Sequence, residues 1–191
     1  MTKPNASLVT QGKPKVGGAV FKAPLGTALP TDATTALPEA WIQLGYVADS
    51  GVTNTISIES ANQKAWGGDV VLNGQTSKTD EIKFKLIESL NPEVLKVVFG
   101  EDNVTGSLED GITVHCKPLQ TEAHSFVFDM IQKGGILKRL VVPEATVTAI
   151  GDIVYKDDEA VGYDLTMGAV PDESGDTHAE YIAKPAAGGG A

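Results

Sequence analysis

The sequence of 191 residues is poor in cysteine, aromatic residues and positive charge, and it has no long apolar run. The single cysteine, Cys116, excludes a disulfide within the chain. Because no apolar run approaches the ~20 residues that cross a bilayer, no membrane-spanning helix is predicted. The N-terminal residues also lack the apolar block of a signal peptide, so we expect a protein made and assembled in a cytoplasm.

Motifs for catalysis and for metal binding are also missing. The sequence contains neither a GxxxxGK[ST] phosphate loop nor a GxSxG nucleophile elbow. His115, His124 and His178 are spaced too irregularly for a zinc motif. Cys116 is expected to be a small buried strand residue rather than a nucleophile paired with His124. The acidic residues 157–159 are expected to form the tip of a hairpin rather than a calcium site. We therefore predict no catalytic, cofactor or metal residues and no enzyme.

Basic residues are outnumbered, with 15 Lys and Arg against 25 Asp and Glu and a net charge of −10. This balance disfavours a surface that grips nucleic acid through its phosphates. The charge is also uneven: the chain has four lysines and no acid before Asp32, whereas eight acids and no Lys or Arg lie from Asp157 to Glu180. A basic front and an acidic back predict head-to-tail contact between copies, with Lys13 and Lys15 as candidates. The alternative is two ends that are simply solvated.

Alternation of apolar and polar residues dominates what is present. In 80-DEIKFKLIES-89, Ile82, Phe84 and Leu86 alternate with charged residues, and in 52-VTNTISIES-60 Ile56 and Ile58 alternate with polar ones. Turn signals at 49–51, 73–74, 133–135 and 156–158 separate such segments. Further strands are predicted at 69–73, 112–116, 125–132, 136–142, 145–150 and 161–169.

One segment instead predicts a short helix at about residues 91–99. Asn91 can cap it, Pro92 suits the first helical position, and Gly100 can end it. The expected fold is thus an antiparallel β-sandwich or barrel with one short flanking α-helix. Residues 1–15 are expected to be a flexible arm, 16–172 the domain, and 173–191 an acidic and then Gly/Ala-rich tail.

The ordered set of these segments resembles the major tail (tail tube) proteins of long-tailed bacteriophages, siphophage type. The resemblance covers roughly residues 16 to 172. It is carried by 19-AVFKAPLGTALPTDATTALPEAWIQLGYVADSGVT-53, 56-ISIES-60, 65-AWGGDVV-71, 80-DEIKFKLIES-89, 91-NPEVLKVVFG-100, 126-FVFDMI-131, 140-LVVPEATVT-148 and 160-AVGYDLTMGAVPD-172.

This resemblance implies a structural role in the virion tail. Six copies would form a ring whose sheets join edge to edge, and rings would stack into a hollow tube around a tape measure protein. Terminator and tail-tip proteins would be further partners, and viral DNA would cross the lumen without specific binding. The resemblance supplies no catalytic residues.

The segment from 23 to 40 is apolar enough to require burial. Its prolines prevent it from forming a regular strand or helix, so its apolar side chains must be buried in another way. We predict an extended arm or loop whose Leu25, Leu29 and Leu37 contact a neighbouring subunit, stiffened by Pro24, Pro30 and Pro38. The alternative is a loop wrapped over its own sandwich.

A rival function is a β-sandwich module of a virion, such as a decoration or tail-tip protein, that binds sugars or a cell surface. It would use Trp41 or Trp66 on an exposed groove. The sequence leaves open whether the tube belongs to a phage, a prophage or a tail-derived particle, and whether a sheath surrounds it.

Overall fold

The computed structural model describes residues 3–118 and 121–185. Short 3-10 turns occupy Ala6–Leu8 and Glu101–Asn103. The remaining elements, in chain order, are β1 (Lys13–Pro14), β2 (Val20–Pro24), β3 (Ile42–Gln43), β4 (Val47–Lys64), β5 (Val70–Leu86), α1 (Pro92–Phe99), β6 (Val104–Thr105), β7 (Thr113–Val114), β8 (His124–Gln132), β9 (Ile136–Ile150), β10 (Tyr163–Val170) and β11 (Ala179–Ala183).

The long strand β9 belongs to two halves of one nine-stranded sheet. Its first half pairs with β8 on one side and β11 on the other, and β8 in turn pairs with β1 and β2. Its second half, residues 144–150, pairs with β10, which continues to β5 and β4. We call these the first and the second half-sheet. All pairings in the described residues are antiparallel, which confirms the predicted class.

The two half-sheets face each other across the main core. Phe84 of β5 and Phe128 of β8 meet edge to face with ring centroids 5.3 Å apart, although their strands are not neighbours in the sheet. Ile82 and Leu86 are fully buried beside them, as the alternation in β5 predicts. The sheet therefore folds back on itself as a sandwich.

Helix α1 covers one side of this core and begins and ends where the sequence predicts. The Asn91 side chain accepts a hydrogen bond of 3.0 Å from the Glu93 amide, and Pro92 opens the first turn. Gly100 ends the helix at a φ of 99°, which a residue with a Cβ rarely adopts. Four residues of the helix are buried, and its Phe99 ring packs 5.8 Å from that of Tyr163.

Several local predictions were wrong. The turns predicted at 49–51 and 73–74 lie inside β4 and β5. The chain turns between these strands at Gly67 and Gly68, within the segment 65-AWGGDVV-71, where the φ values of 115° and 101° are ones that only glycine adopts readily. Cys116 is exposed and lies beyond the end of β7, because that strand has only two residues. The predicted strands at 136–142 and 145–150 are one continuous strand, β9.

Both terminal regions contain strands, although the sequence predicts a flexible N-terminal arm and a C-terminal tail. Within the expected flexible arm, β1 pairs with the end of β8, and within the expected acidic tail, β11 adds an edge strand to β9. The Gly/Ala-rich residues from 186 onward lie outside the described residues.

Candidate assembly surfaces

Strands β4 and β5 form a hairpin that leaves the body of the subunit. From Ile56 to Thr79, Ser77 is half-buried and every other side chain is exposed. At about 3.3 Å per residue, the nine residues from Ile56 to Lys64 carry the hairpin some 25–30 Å beyond the core. We call residues 56–79 the hairpin arm.

The hairpin arm exposes apolar side chains. Ile56 and Ile58 are 48% and 62% exposed, on the face of β4 that carries Val52 into the core. At the far end, Val70, Val71 and Leu72 are more than half exposed, and Trp66 is fully exposed at the turn. A free two-stranded ribbon is marginally stable in water, and such a row of apolar side chains marks a contact surface.

The second half-sheet has an unpaired edge on each side. Strand β4 pairs only with β5, and no strand in the described residues covers its other edge. The pairing of β8 with β9 ends at Ala145, which leaves residues 146–150 without a strand on that side in the described ranges. Unpaired edges are sites where another chain can add a strand.

One face of the second half-sheet packs on the core, and the other is rich in hydroxyl groups. We call the second the hydroxyl face. Its side chains are exposed or half-buried, so no second layer packs on it in the described part of the chain. Its hydroxyl-bearing residues are Thr53, Thr55, Ser57, Ser77, Thr79, Thr146, Thr148 and Thr166.

The root of the hairpin arm is fixed by a buried carboxylate. The Asp80 side chain is 1% exposed and accepts hydrogen bonds from Asn54 Nδ2 at 2.5 Å and Thr177 Oγ1 at 2.6 Å. The Nδ1 of His178 contacts the same carboxylate. Burial opposes ionisation, but the hydrogen bonds from Thr177, His178 and Asn54 outweigh it and lower the pKa of Asp80. The segment before β11 is thereby fastened to the point where the arm begins.

We expect Asp80→Ala to lower the stability of the subunit by about 2 kcal/mol, because three polar groups lose their acceptor. That corresponds to a fall in Tm of roughly 4–8 °C for a chain of this size. Since the pKa of Asp80 is lowered on folding, its contribution is present above the ordinary carboxyl value and is lost as the pH falls through the lowered one. Thermal unfolding from pH 7 to pH 3 measures both effects. A variant that melts like the parent at pH 7 would contradict the assignment.

The loop from 25 to 41 lies on the outer face of the first half-sheet. Trp41 is 5% exposed and packs with Ala23, Val127 and Val141, and Leu37 is half-buried against the same cluster. The rival function's Trp41 is therefore not on an open groove. The other candidate, Trp66, stands alone at the tip of the hairpin arm.

A buried arginine holds this loop to its own subunit. Arg139 Nη1 donates to the carbonyl oxygens of Asp32 and Thr35 at 3.0 and 2.9 Å. Its Nε and Nη2 bind both carboxylate oxygens of Asp129, at 2.7 and 2.9 Å, and both side chains are at most 4% exposed. Within the loop, hydrogen bonds from Thr35 and Thr34 hold the pKa of Asp32 well below its usual range.

The predicted contact residues fall into three groups. Leu37 and Lys15 are used within the subunit, since Leu37 packs on the first half-sheet and Lys15 Nζ lies 3.3 Å from Asp129. Leu25 and Leu29 are 47% and 36% exposed and line a surface pocket of about 440 Å³. The remaining members are half-buried Pro30 and exposed Pro38 and Lys13.

The hairpin arm is the surface that the sequence-based reasoning missed. A signal was present, because Ile56 and Ile58 continue the apolar alternation of β4 while the partner segment 73-NGQTSKT-79 contains no large apolar residue. Ile56 and Ile58 lie opposite the charged residues Asp80 and Lys78, so this part of the ribbon cannot form an apolar core by itself. The alternation was correctly assigned to one face of a strand, but not to a segment outside the sandwich.

Comparison with known families decides the class of this protein. The family model described as phage tail tube protein matches residues 10–189. The chain belongs to this family. As a tail tube protein it is a structural component of the virion tail rather than a member of an enzyme family. Among curated proteins, none matches the chain.

Two further observations concern alternative roles. No helix in the described residues is long and apolar enough to cross a membrane. Residues 3–118 and 121–185 contain no group of three His, Cys, Asp or Glu side chains that could hold a metal ion. The surfaces described above are therefore the features on which a functional proposal for this tail tube protein rests.

Proposed function

We propose that six copies of this tail tube protein form a ring by joining their second half-sheets edge to edge. The free edge of β4 in one copy pairs with the free edge at residues 146–150 of β9 in the next. A heterologous contact of this kind closes into a ring when the rotation between copies is a simple fraction of a turn. The two unpaired edges of one four-stranded unit are the observation that carries this proposal.

In such a ring the hydroxyl face lines the lumen. The opposite face of the same half-sheet is covered by the core, and the outer face of the first half-sheet is covered by the loop from 25 to 41. The hydroxyl face is then the surface past which DNA moves during ejection. A tape measure protein occupies the lumen during assembly, and terminator and tail-tip proteins bind the two ends of the tube.

The hairpin arm makes the contacts between subunits that stack and lock the rings. A neighbouring copy covers Ile56 and Ile58, which removes from water the apolar surface that the single subunit exposes. Leu25 and Leu29 remain candidates for a second contact of this type. Lys13, which is exposed on β1, is available for the head-to-tail attraction to an acidic face of another copy.

Concentration series of the purified protein test this proposal. We expect rings and hollow tubes in negative-stain images at high concentration, with six copies per ring by cryo-electron microscopy. We also expect the outward-facing amides of residues 146–150, and of the residues of β4 that pair with them, to exchange hydrogen much more slowly in tubes than in free subunits, because they become paired.

Globular particles at every concentration, with equal exchange rates, would contradict the ring and favour a monomeric binding module. Assembly is expected in the cytoplasm of the bacterial host. Tubes that form there when the gene is expressed alone would show that this chain needs no partner to polymerise.

A further inference from the structure

Two lysines interrupt the hydroxyl face. Lys83 and Lys85 project from β5 on the same side as Thr53 and Thr166, with which Lys83 is paired across the two neighbouring strands. An ammonium group on such a surface binds DNA phosphate and releases counterions. In a ring the same two lysines recur in every copy, so the attraction that they exert on passing DNA is multiplied by the number of copies.

Each lysine has a carboxylate beside it. Lys83 Nζ lies 3.3 Å from Glu81, two residues earlier on β5, and Lys85 Nζ lies 3.2 Å from Glu159 in the loop between β9 and β10. Asp164, directly opposite Lys85 on β10, adds a second negative charge close to it. Hydrogen bonds donated by Lys85 and Lys156 lower the pKa of Glu159 below its ordinary value.

The position of Glu159 is set by a close approach of its loop to β5. A Cβ added at Gly162 would lie 2.8 Å from the Leu86 carbonyl oxygen and 2.8 Å from Lys85 Cε. Only glycine therefore lets the loop pass this close to the strand. The approach at Gly162 brings the loop, and Glu159 with it, to the lysine.

We propose that Glu81 and Glu159 act as charge-masking residues, which neutralise Lys83 and Lys85 so that the phosphate backbone of double-stranded DNA does not adhere to the hydroxyl face. The inference rests on the proposed function in placing this face in the lumen. The hydroxyl groups form weak, exchangeable hydrogen bonds with a passing strand. With the two cations masked, the face has no site at which that strand is held.

Binding of a fluorescent 20-base-pair DNA duplex to the subunit tests the masking. We expect the double variant E81Q/E159Q to bind the duplex at least tenfold more tightly than the parent in 50 mM KCl. If two phosphates are contacted, raising the salt to 200 mM lowers this affinity by about tenfold. Because Glu159 also binds Lys156, the full reversal adds K83Q/K85Q/K156Q to the double variant and is expected to abolish the gain.

The matched control is E39Q/E109Q, which makes the same change in net charge at two exposed glutamates away from the second half-sheet. An equal gain in duplex affinity in this control would mean that the net charge alone determines the affinity, and it would overturn the proposed masking. No gain in E81Q/E159Q would overturn it as well.

Electron microscopy of the same samples reports on the proposed function separately. If the parent protein forms no tubes, the proposed ring is refuted, whatever the affinity of the subunit for the duplex. If the ring is correct, E81Q/E159Q tubes bind less duplex per subunit than free subunits of the same variant, because the hydroxyl face is enclosed. Equal binding by tubes and free subunits would place the lysines outside the lumen and overturn the inference.

Discussion

Replacing Ile58 with aspartate is expected to raise the concentration needed for tube formation at least tenfold and to leave the subunit folded. Ile58 is 62% exposed in the single subunit, and substitutions at such positions usually change stability by no more than about 0.5 kcal/mol. In the proposed tube a neighbouring copy covers this side chain. Losing the burial of one isoleucine costs about 1.5–3 kcal/mol per contact, and burying an unpaired carboxylate costs more.

A loss of that size raises the concentration needed for assembly at least tenfold, since each 1.4 kcal/mol is a factor of ten. Sedimentation of tubes across a concentration series measures the change, and circular dichroism checks the fold. The matched control is Ser57→Asp, which places the same charge one residue away on the opposite face of β4. If Ile58→Asp assembles like the control, the hairpin arm is not covered by another subunit.

Replacing Arg139 with methionine is expected to cause the largest loss of stability in the subunit. The substitution leaves the Asp129 carboxylate buried, with only Lys15 at 3.3 Å to balance it, and removes the donor to Asp32 and Thr35. Breaking one side of a buried ion pair costs about 3–5 kcal/mol. The expected fall in Tm is roughly 6–20 °C for a chain of this length.

Two variants distinguish the loss of the buried ion pair from the general effect of removing a positive charge. Lys138→Met removes the neighbouring cation, whose contact with Glu180 at 2.6 Å is partly exposed and contributes at most about 1 kcal/mol. The double variant Arg139→Met/Asp129→Leu should recover part of the loss, because it also removes the unpaired carboxylate. A fall in Tm no larger than that of Lys138→Met would show that the arginine does not anchor the loop. Hydrogen exchange at residues 32–35 provides an independent readout.

The parts of the fold that depend on local patterns could be predicted from the sequence. The alternation around Phe84 identified the core face of β5, and Asn91, Pro92 and Gly100 identified both ends of α1. These signals work because side-chain direction in a strand and the capping of a helix are decided by residues close in sequence.

Features that depend on distant residues could not be predicted in this way. Arg139 meets Asp32 across 107 positions, and Lys22 of β2 is buried between Glu93 of α1 and Glu101, both more than 70 positions away. Nothing local to Asp80 indicates that His178 will reach it. The unpaired edges of the second half-sheet depend on which strands pair, and this is decided by the whole chain.

Strand β9 gives the wall of the proposed tube a mechanical property. Because the chain runs without interruption from the first half-sheet into the second, a force applied at residues 146–150 is transmitted along covalent bonds to the layer beneath the loop from 25 to 41. Shear between inner and outer layers would have to stretch this backbone rather than slide two separate sheets. Bending of a tail built from such units would then be taken up between rings, and the bore would keep its width as the tail curves.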